Sequence, residues 1–554
     1  MTEHRRILPS YSKSSEQLVI SSEVVDVSGE ENEIICFRWS QFLDQVLPQF
    51  FYPLSIPFVA CFVSISAARN LMGPIPSSLS MITIYSIFQI ASFAPLVSIA
   101  AYWYSPIHSG DSIDGTLRAD VVHVLAAYIS LRLGVCIKYA YMLPNTYHER
   151  KRMIPPESDR RDEQLISGWY KLSRSTISRE VSIAVTKQAQ ASKTFFKIRK
   201  DTLHVLYAVF DCDVSKEIIE TSLQIKNEKT DENNNTEISS TIIEYEHVFI
   251  PVSSFVEALQ VSAQQQTTRL MTFSRYFLMF ISIVGTFSSS LVRFLLNAPI
   301  LGENTQQMII IIGHWLSNIV YMNVTFQFIA IGALDHSRRR LALKMLGKAF
   351  TPGVKNGEAT AAALQFSTHQ QTRAFLATRG VLHSFGCAFH ERLVLVTSVQ
   401  IVVFLLFAAY AIISLFLAPE FATGDLVSAF VVLQVLVMPA FLCCGTGLWF
   451  AALANDEAIR HVSIIVNARL NMILASRFSE NSNEYDHDSI SRTLELLREV
   501  ERTLKRQSET SPISILGIPA TWSLTQKFFG FILSLETFGA TLLFSRLGLM
   551  GFSN

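Results

Sequence analysis

Long apolar stretches alternate with polar ones along this chain, and the polar ones are of two kinds. Apolar runs of membrane-crossing length lie at 80–104, 117–143, 271–298, 308–334, 393–418, 424–452 and 525–546. Each is near the ~20 residues that an α-helix needs to cross a bilayer core. The connections at 105–116, 299–307 and 419–423 hold no Lys or Arg, whereas those at 144–270, 335–392 and 453–524 are rich in both, with Arg150-Lys151-Arg152 and Arg338-Arg339-Arg340 beside span ends. Basic residues near span ends stay cytoplasmic. The pattern predicts an all-α integral membrane protein of seven transmembrane helices with the amino terminus inside and the carboxyl terminus outside, the reverse of a G-protein-coupled receptor.

The expected organisation follows chain order. Residues 1–49 form a cytoplasmic tail ending in an amphipathic helix with Trp39, Leu43, Val46, Leu47 and Phe50 at helical spacing. Residues 50–79 are a re-entrant segment or an eighth helix. Pro53 and Pro57 interrupt the first half and Gly73 to Pro76 close it, and keeping Arg5, Arg6, Lys13 and Arg38 inside favours re-entry. Spans 1–2 occupy 80–143, and 144–270 is a long cytoplasmic loop, helical in spacing through Phe210 and then disordered at NEKTDENNNTEISST. Asn234-Asn235-Thr236 is a glycosylation sequon that an inside loop leaves unmodified. Spans 3–4 fill 271–334, a helical loop fills 335–392, and spans 5–6 fill 393–452. Residues 453–524 form anchor-like helices before the final, pore-lining candidate span at 525–546.

Composition agrees with a membrane location: 49% of the 554 residues are hydrophobic and 17% charged, above the apolar share of soluble domains. The formal net charge is zero, so no global field points to nucleic acid. None of the seven cysteines falls in a predicted outer loop, which argues against an extracellular disulfide framework. The start MTEHRRILPSYSKSSEQ lacks an apolar core and a small-residue cleavage site, so the first membrane segment is expected to direct insertion.

Within 487–507, Ile490, Leu497 and Leu504 recur every seven residues, with Thr493 and Val500 between them. This stripe either packs on its own subunit or meets copies of itself about an oligomer axis. The segment after it, SPISILGIPATWSLTQKFFGFILSLETFGATLLFSR, places a turn with Gly517 and Pro519 before the last apolar helix, which carries the run Ser534 to Phe538. This resembles the carboxyl-terminal signature of the insect gustatory and odorant receptor superfamily and its nematode gustatory-receptor-like relatives. Thr537-Phe538 stands where the signature has Thr-Tyr, and Phe544-Ser545 where it has Gln-Phe. The resemblance implies a tetrameric ligand-gated cation channel, a chemoreceptor-like protein of the plasma membrane. In it the last helix lines a central pore, the cytoplasmic helices form a shared anchor, and the outer halves of the earlier helices enclose a small-molecule pocket. The alternative is a multispan transporter or an orphan seven-transmembrane receptor.

Ionisable residues inside spans each need a reason, because they cost about 2.5–3.5 kcal/mol at a helix centre on insertion scales. Glu536, Thr537 and Phe538 are the pore candidates, since a pore-facing carboxylate attracts cations. Arg132, His123, Arg293, His314 and Trp315 are the ligand-pocket candidates, polar groups on an aromatic background. Arg132 has no evident acidic partner inside a span apart from Glu536. Ile490, Leu497, Val500 and Leu504 are the oligomer-anchor candidates. His383, Cys387 and His390 fall at i, i+4 and i+7, a spacing that permits metal ligation. With no fourth ligand the set reads as coincidence, and no metal is expected. There is no phosphate-binding Gly loop, no HExxH and no Gly-x-Ser-x-Gly, so neither an enzyme nor a cofactor is expected.

Overall fold

A computed structural model describes residues 37–51, 114–140, 172–188, 191–232, 247–295, 299–355, 358–386, 438–478, 487–510, 512–515 and 518–546, with isolated positions between 94–101 and 390–409. The described chain is mostly helical. The predicted segment 50–79 lies outside it apart from Phe50 and Phe51, as do most of the stretches at 80–104 and 393–418 and the first half of 424–452.

Helices α1 (Trp39–Phe51) and α2 (Asp114–Ala140) pack together, and the Arg38 amide donates to the Ala140 carbonyl at 2.9 Å. The amphipathic helix therefore begins at the same end of the bundle as the end of α2, with Trp39 and Leu43 facing outward. Next come α3 (Arg174–Thr186), β1 (Phe195–Arg199), α4 (Leu203–Phe210), α5 (Asp213–Glu232) and β2 (His247–Pro251). The two strands pair antiparallel, Phe195 opposite Pro251 and Arg199 opposite His247. Helical spacing gave no hint of this ribbon. Helix α5 also runs into the first residues of the polar insert expected to be disordered, ending at Glu232; the rest of the insert lies outside the described residues.

Three long helices form the spine. Helix α6 (Val252–Thr286) is followed, after one irregular residue, by α7 (Ser288–Leu295). Phe287 N–H to Ile283 O (3.3 Å) and Leu291 N–H to Phe287 O (3.0 Å) carry the helical hydrogen bonding across the junction. Helix α8 (Thr305–Ala349) starts where the Asn304 side chain accepts the Gln307 amide at 2.9 Å, an N-cap that satisfies a free helix donor. Helix α10 (Met438–Phe478) packs along α8, and α6 packs on it from another side. Between α8 and α10 lie the hairpin β3 (Gly353–Lys355) and β4 (Glu358–Thr360) and helix α9 (His369–Ser384), capped by Thr368. Helix α11 (His487–Thr510) lies against α10 and α9. A last hairpin, β5 (Ser514–Ile515) with β6 (Ile518–Pro519), leads into α12 (Trp522–Arg546).

The basic loops do not dangle from the spine. Their helices, with the inner ends of α6, α8 and α10, share one core in which Phe196, Phe210, Phe255, Phe350, Phe366 and Phe375 meet edge-on or stacked, as in Phe350–Phe366 at 4.3 Å. Burying such rings supplies the largest apolar gain per residue. The heptad stripe of α11 faces this core: Leu497, Val500 and Leu504 are 0%, 2% and 0% exposed. Side chains so enclosed are not available as knobs for another copy. Of the four anchor candidates, Ile490 alone keeps some surface.

Among the described residues no helix is long and apolar enough to cross a membrane. The stretch at 271–298 is divided at Phe287 between α6 and α7, and α2 contains Arg118, Asp120, Arg132 and Lys138.

His461, fully buried on α10, has an Nε2 2.9 Å from the Leu343 carbonyl and its ring 5.4 Å from that of Phe375. Burial pushes its pKa down to about 3, and the nearby Arg379 and Arg460 push the same way. A folded pKa below the unfolded value stabilises at high pH and loses that contribution as pH falls through the unfolded pKa of about 6.5. Thermal or denaturant unfolding should therefore show the wild type losing about 2 kcal/mol more than His461→Gln between pH 8 and pH 5. The glutamine keeps a donor for Leu343 but does not titrate.

Candidate functional site

The strongest polar feature among the apolar helices sits at the end of the bundle opposite the inner core. Asp120 comes from the first turns of α2, Arg293 from the last turn of α7, and His314 and Asn318 from successive turns near the start of α8. Three separate helices thus deliver these side chains to one layer. All four side chains are buried, Arg293 completely.

Arg293 Nη2 donates to Asp120 Oδ2 in a buried ion pair. His314 Nδ1 stands 3.5 Å from the other carboxylate oxygen, Oδ1, and its Nε2 bonds to the Asn318 amide nitrogen. Beside them Trp315 Nε1 donates to Ser290 Oγ at 2.9 Å and packs edge-on against Phe287 at 5.1 Å. Close packing brings the backbones together. A Cβ on Gly313 would lie 1.9 Å from Ser98 Oγ, so α8 admits only glycine where it meets the segment around Ala94 and Ser98.

Of the pocket candidates, the structure unites Arg293, His314 and Trp315. His123 is on α2, one turn after Asp120, and its side chain is outside the described set. Arg132 belongs elsewhere. It lies twelve residues further along α2, about 18 Å along the axis, buried with its guanidinium 5.2 Å from the Tyr128 ring centroid. Asp120, Ser290 and Asn318 were missed. Asp120 was legible in principle, since it stands four residues into the apolar stretch beginning at 117.

An isolated charge in an apolar interior is strongly disfavoured, and pairing is what makes it tolerable. The carboxylate here is shared between a guanidinium and an imidazole from two other helices. The arrangement ties α2, α7 and α8 at one end.

The pore candidates are divided. On α12, Glu536 shares a face with Thr525, Ile532 and Gly539, all buried, whereas Thr537 and Phe538 turn away and are exposed. The helix packs on α10, where a Cβ on Gly445 would stand 2.7 Å from the Phe529 ring. Glu536 therefore belongs to the packed side of α12. Of the metal-spaced trio, Cys387 lies outside the described residues, and His390 forms its ligand-distance cluster with Asp335 and His336, without His383.

No family model, curated protein or solved structure matches this chain.

Removing one member of the buried pair should cost about 3–5 kcal/mol, because the other charge is left uncompensated. Arg293→Leu and Asp120→Leu are each expected to unfold at markedly lower temperature in detergent. The double variant should recover a large part of the loss, giving a coupling energy that a double-mutant cycle reads directly.

Proposed function

We propose that this chain is a membrane-embedded, chemoreceptor-like subunit of a ligand-gated cation channel, assembled as a tetramer in the plasma membrane with its amino terminus inside. The observation that carries the membrane part is an outward stripe of large apolar side chains on α6 and α7. Phe273, Tyr276, Phe277, Phe280, Val284, Phe287, Leu291 and Phe294 are all exposed, Phe273 at 65% and Phe294 at 61%. They recur at helical spacing over 22 residues, about 32 Å of helix, which matches the ~30 Å hydrocarbon core of a bilayer. Soluble monomers rarely leave so large an apolar patch uncovered. Leu125 and Ile129 on α2, Ile312 and Leu316 on α8, and Phe531, Leu533 and Phe544 on α12 extend the outward apolar surface to the other apolar stretches.

The basic loops support the orientation. Their helices share one folded body at the end of the spine where α8 delivers Arg338 to Arg340, and α1 starts at the matching end of α2. On α12 the outward face carries Gly530, Ser534, Thr537, Thr541 and Ser545, a hydroxyl-rich line along an otherwise apolar helix. Ser534, Thr537 and Thr541 each donate to the carbonyl four residues back, at 2.8, 2.8 and 2.7 Å, which leaves their oxygens as acceptors. Acceptors lining a narrow path suit a cation. This reading moves the pathway from Glu536 to the hydroxyl face. The Asp120–Arg293–His314 layer, at the outer end, is where a small polar ligand would find orienting groups.

The entry to α12 is firmly held. Asn455 on α10 donates from Nδ2 to the carbonyls of Ile513 (3.0 Å) and Ala520 (2.9 Å) and accepts the Ile513 amide at 2.9 Å, closing the β5–β6 turn. Trp522 donates to Asp456 and meets Trp449 edge-on at 4.9 Å. Movement of α10 would thus be passed to the start of α12.

Purified full-length protein should form four-fold particles, with an amino-terminal tag that stays unlabelled from outside intact cells. In proteoliposomes, Thr537→Leu with Thr541→Leu should abolish most cation flux, while Glu536→Gln leaves ion selectivity as in the wild type. Monomeric particles, or an externally labelled tag, would sink the proposal.

A further inference from the structure

A second polar cluster lies at the inner end of α8, about 30 Å along that helix from His314. Asp335 and His336 are consecutive on α8, at the last turn before Arg338 to Arg340, and both are buried. His390 arrives from the chain beyond α9. Phe385 ends that helix and Gly386, at φ 61°, turns the backbone through a conformation that glycine adopts without strain. The His390 amide then donates to the Gly386 carbonyl at 3.0 Å, and the imidazole Nδ1 comes within 3.1 Å of Asp335 Oδ2. The His336 and His390 rings meet edge to face, 5.1 Å between centroids. One nitrogen of each ring and one carboxylate oxygen lie within 4.8 Å of one another.

Two details point from a hydrogen-bond network towards a ligand. His336 is 5% exposed, and its Nδ1 is a buried polar atom with no hydrogen-bond partner among the described residues. Buried polar nitrogens are normally satisfied, so this one asks for an occupant. The carboxylate, in turn, is held in place by a guanidinium on the same oxygen that His390 approaches. Arg339 Nε bonds Asp335 Oδ2 at 2.9 Å while its Nη2 is fixed on the Phe385 carbonyl at 2.8 Å. An outer group that orients a carboxylate in this way is what a metal ligand needs.

We propose that Asp335, His336 and His390 form a binding site for one divalent first-row transition metal ion. Two imidazoles and one carboxylate suit zinc and its neighbours, and alkaline-earth ions prefer all-oxygen sets. Ligand atoms on a tetrahedral ion with bonds of about 2.0–2.1 Å stand about 3.4 Å apart. The set therefore closes by small rotations of the two rings. Three protein ligands leave a position open to water. The bound ion pins the chain entering the 393–418 stretch to the base of α8, at the junction between the spine and the inner body. This site is independent of the channel reading, which neither predicts nor requires it.

The experiment is metal stoichiometry on the full-length protein in detergent, stripped with a chelator and titrated with Zn²⁺ or Co²⁺. We expect about one equivalent per chain, and for Co²⁺ a visible absorption band of nitrogen and oxygen ligation. His336→Gln and His390→Gln should each weaken binding by at least about tenfold, as for loss of one of three ligands. Far less than one equivalent on well-folded wild type overturns the site. So does full-strength binding by the His336→Gln, His390→Gln double variant. The wild-type measurement decides the matter even where a variant fails to fold.

Discussion

A charge enclosed among apolar helices must find a counter-charge there, and the structure is arranged around that requirement. Arg293 is wholly buried, and its pairing with Asp120, delivered by a different helix, helps to make this tolerable. The pair fixes how α2 and α7 meet, and His314 brings α8 into the same layer. With those three ends registered, Trp315 can reach Ser290 and Gly313 can close on Ser98. At the far end of α8 the rule recurs. Asp335 is buried, which by itself pushes its carboxyl up, yet Arg339, His390 and His336 around it outweigh that and hold it well below the usual carboxylate range. The longest helix thus takes part in two compensated carboxylate clusters, through His314 beside Asp120 of α2 and through its own Asp335, and the stretch between them is largely apolar.

Between these layers packing takes over. The inner body has an aromatic core comparable to that of a soluble domain, built from loop residues and from the inner ends of the spine helices. Extending α6, α8 and α10 into that core makes spine and body continuous, with no flexible linker to absorb movement. Asn455 completes the continuity, since a single side chain satisfies three backbone groups of the turn leading to α12. An apolar residue there would orphan the Ile513 amide and the Ala520 carbonyl, while the Ile513 carbonyl would keep its bond from the Ala520 amide at 2.9 Å, and each buried orphan costs about 1–3 kcal/mol.

Much of this was legible in the sequence. The apolar stretches, the amphipathic start at Trp39 and the heptad stripe of α11 all become helices where they are described, because their signals are local and periodic. The β1–β2 ribbon was not, since Phe195–Arg199 and His247–Pro251 each show too short a pattern and their pairing spans about fifty residues of sequence. The helix spacing of α11 gave the buried face but not its partner, which turns out to be the chain's own core. Arg293, His314 and Trp315 were found as a group because polar residues in apolar stretches are conspicuous. Asp120 escaped because it stands near the edge of its stretch, where a charge needs no explanation. His390 was noticed for the wrong neighbours. Spacing along one helix suggested His383, whereas the turn at Gly386 sends His390 to a different helix altogether.

The two faces of α12 show why a three-dimensional account changes the functional argument. A carboxylate in the last helix is the natural first choice for a cation path, and from sequence Glu536 and Thr537 look equivalent. They are adjacent, hence about 100° apart around the axis, and the helix has one packed side. Ile532, Gly539 and Thr525 mark that side, and Glu536 falls on it with them. The outward line is left to Ser534, Thr537 and Thr541, whose hydroxyls are anchored to their own helix. Carbonyl-like neutral acceptors select ions by replacing water, whereas a carboxylate acts mainly by charge. In the proposed tetramer, selectivity along this line follows from its spacing between subunits, and so from how closely Gly445 lets α12 approach α10.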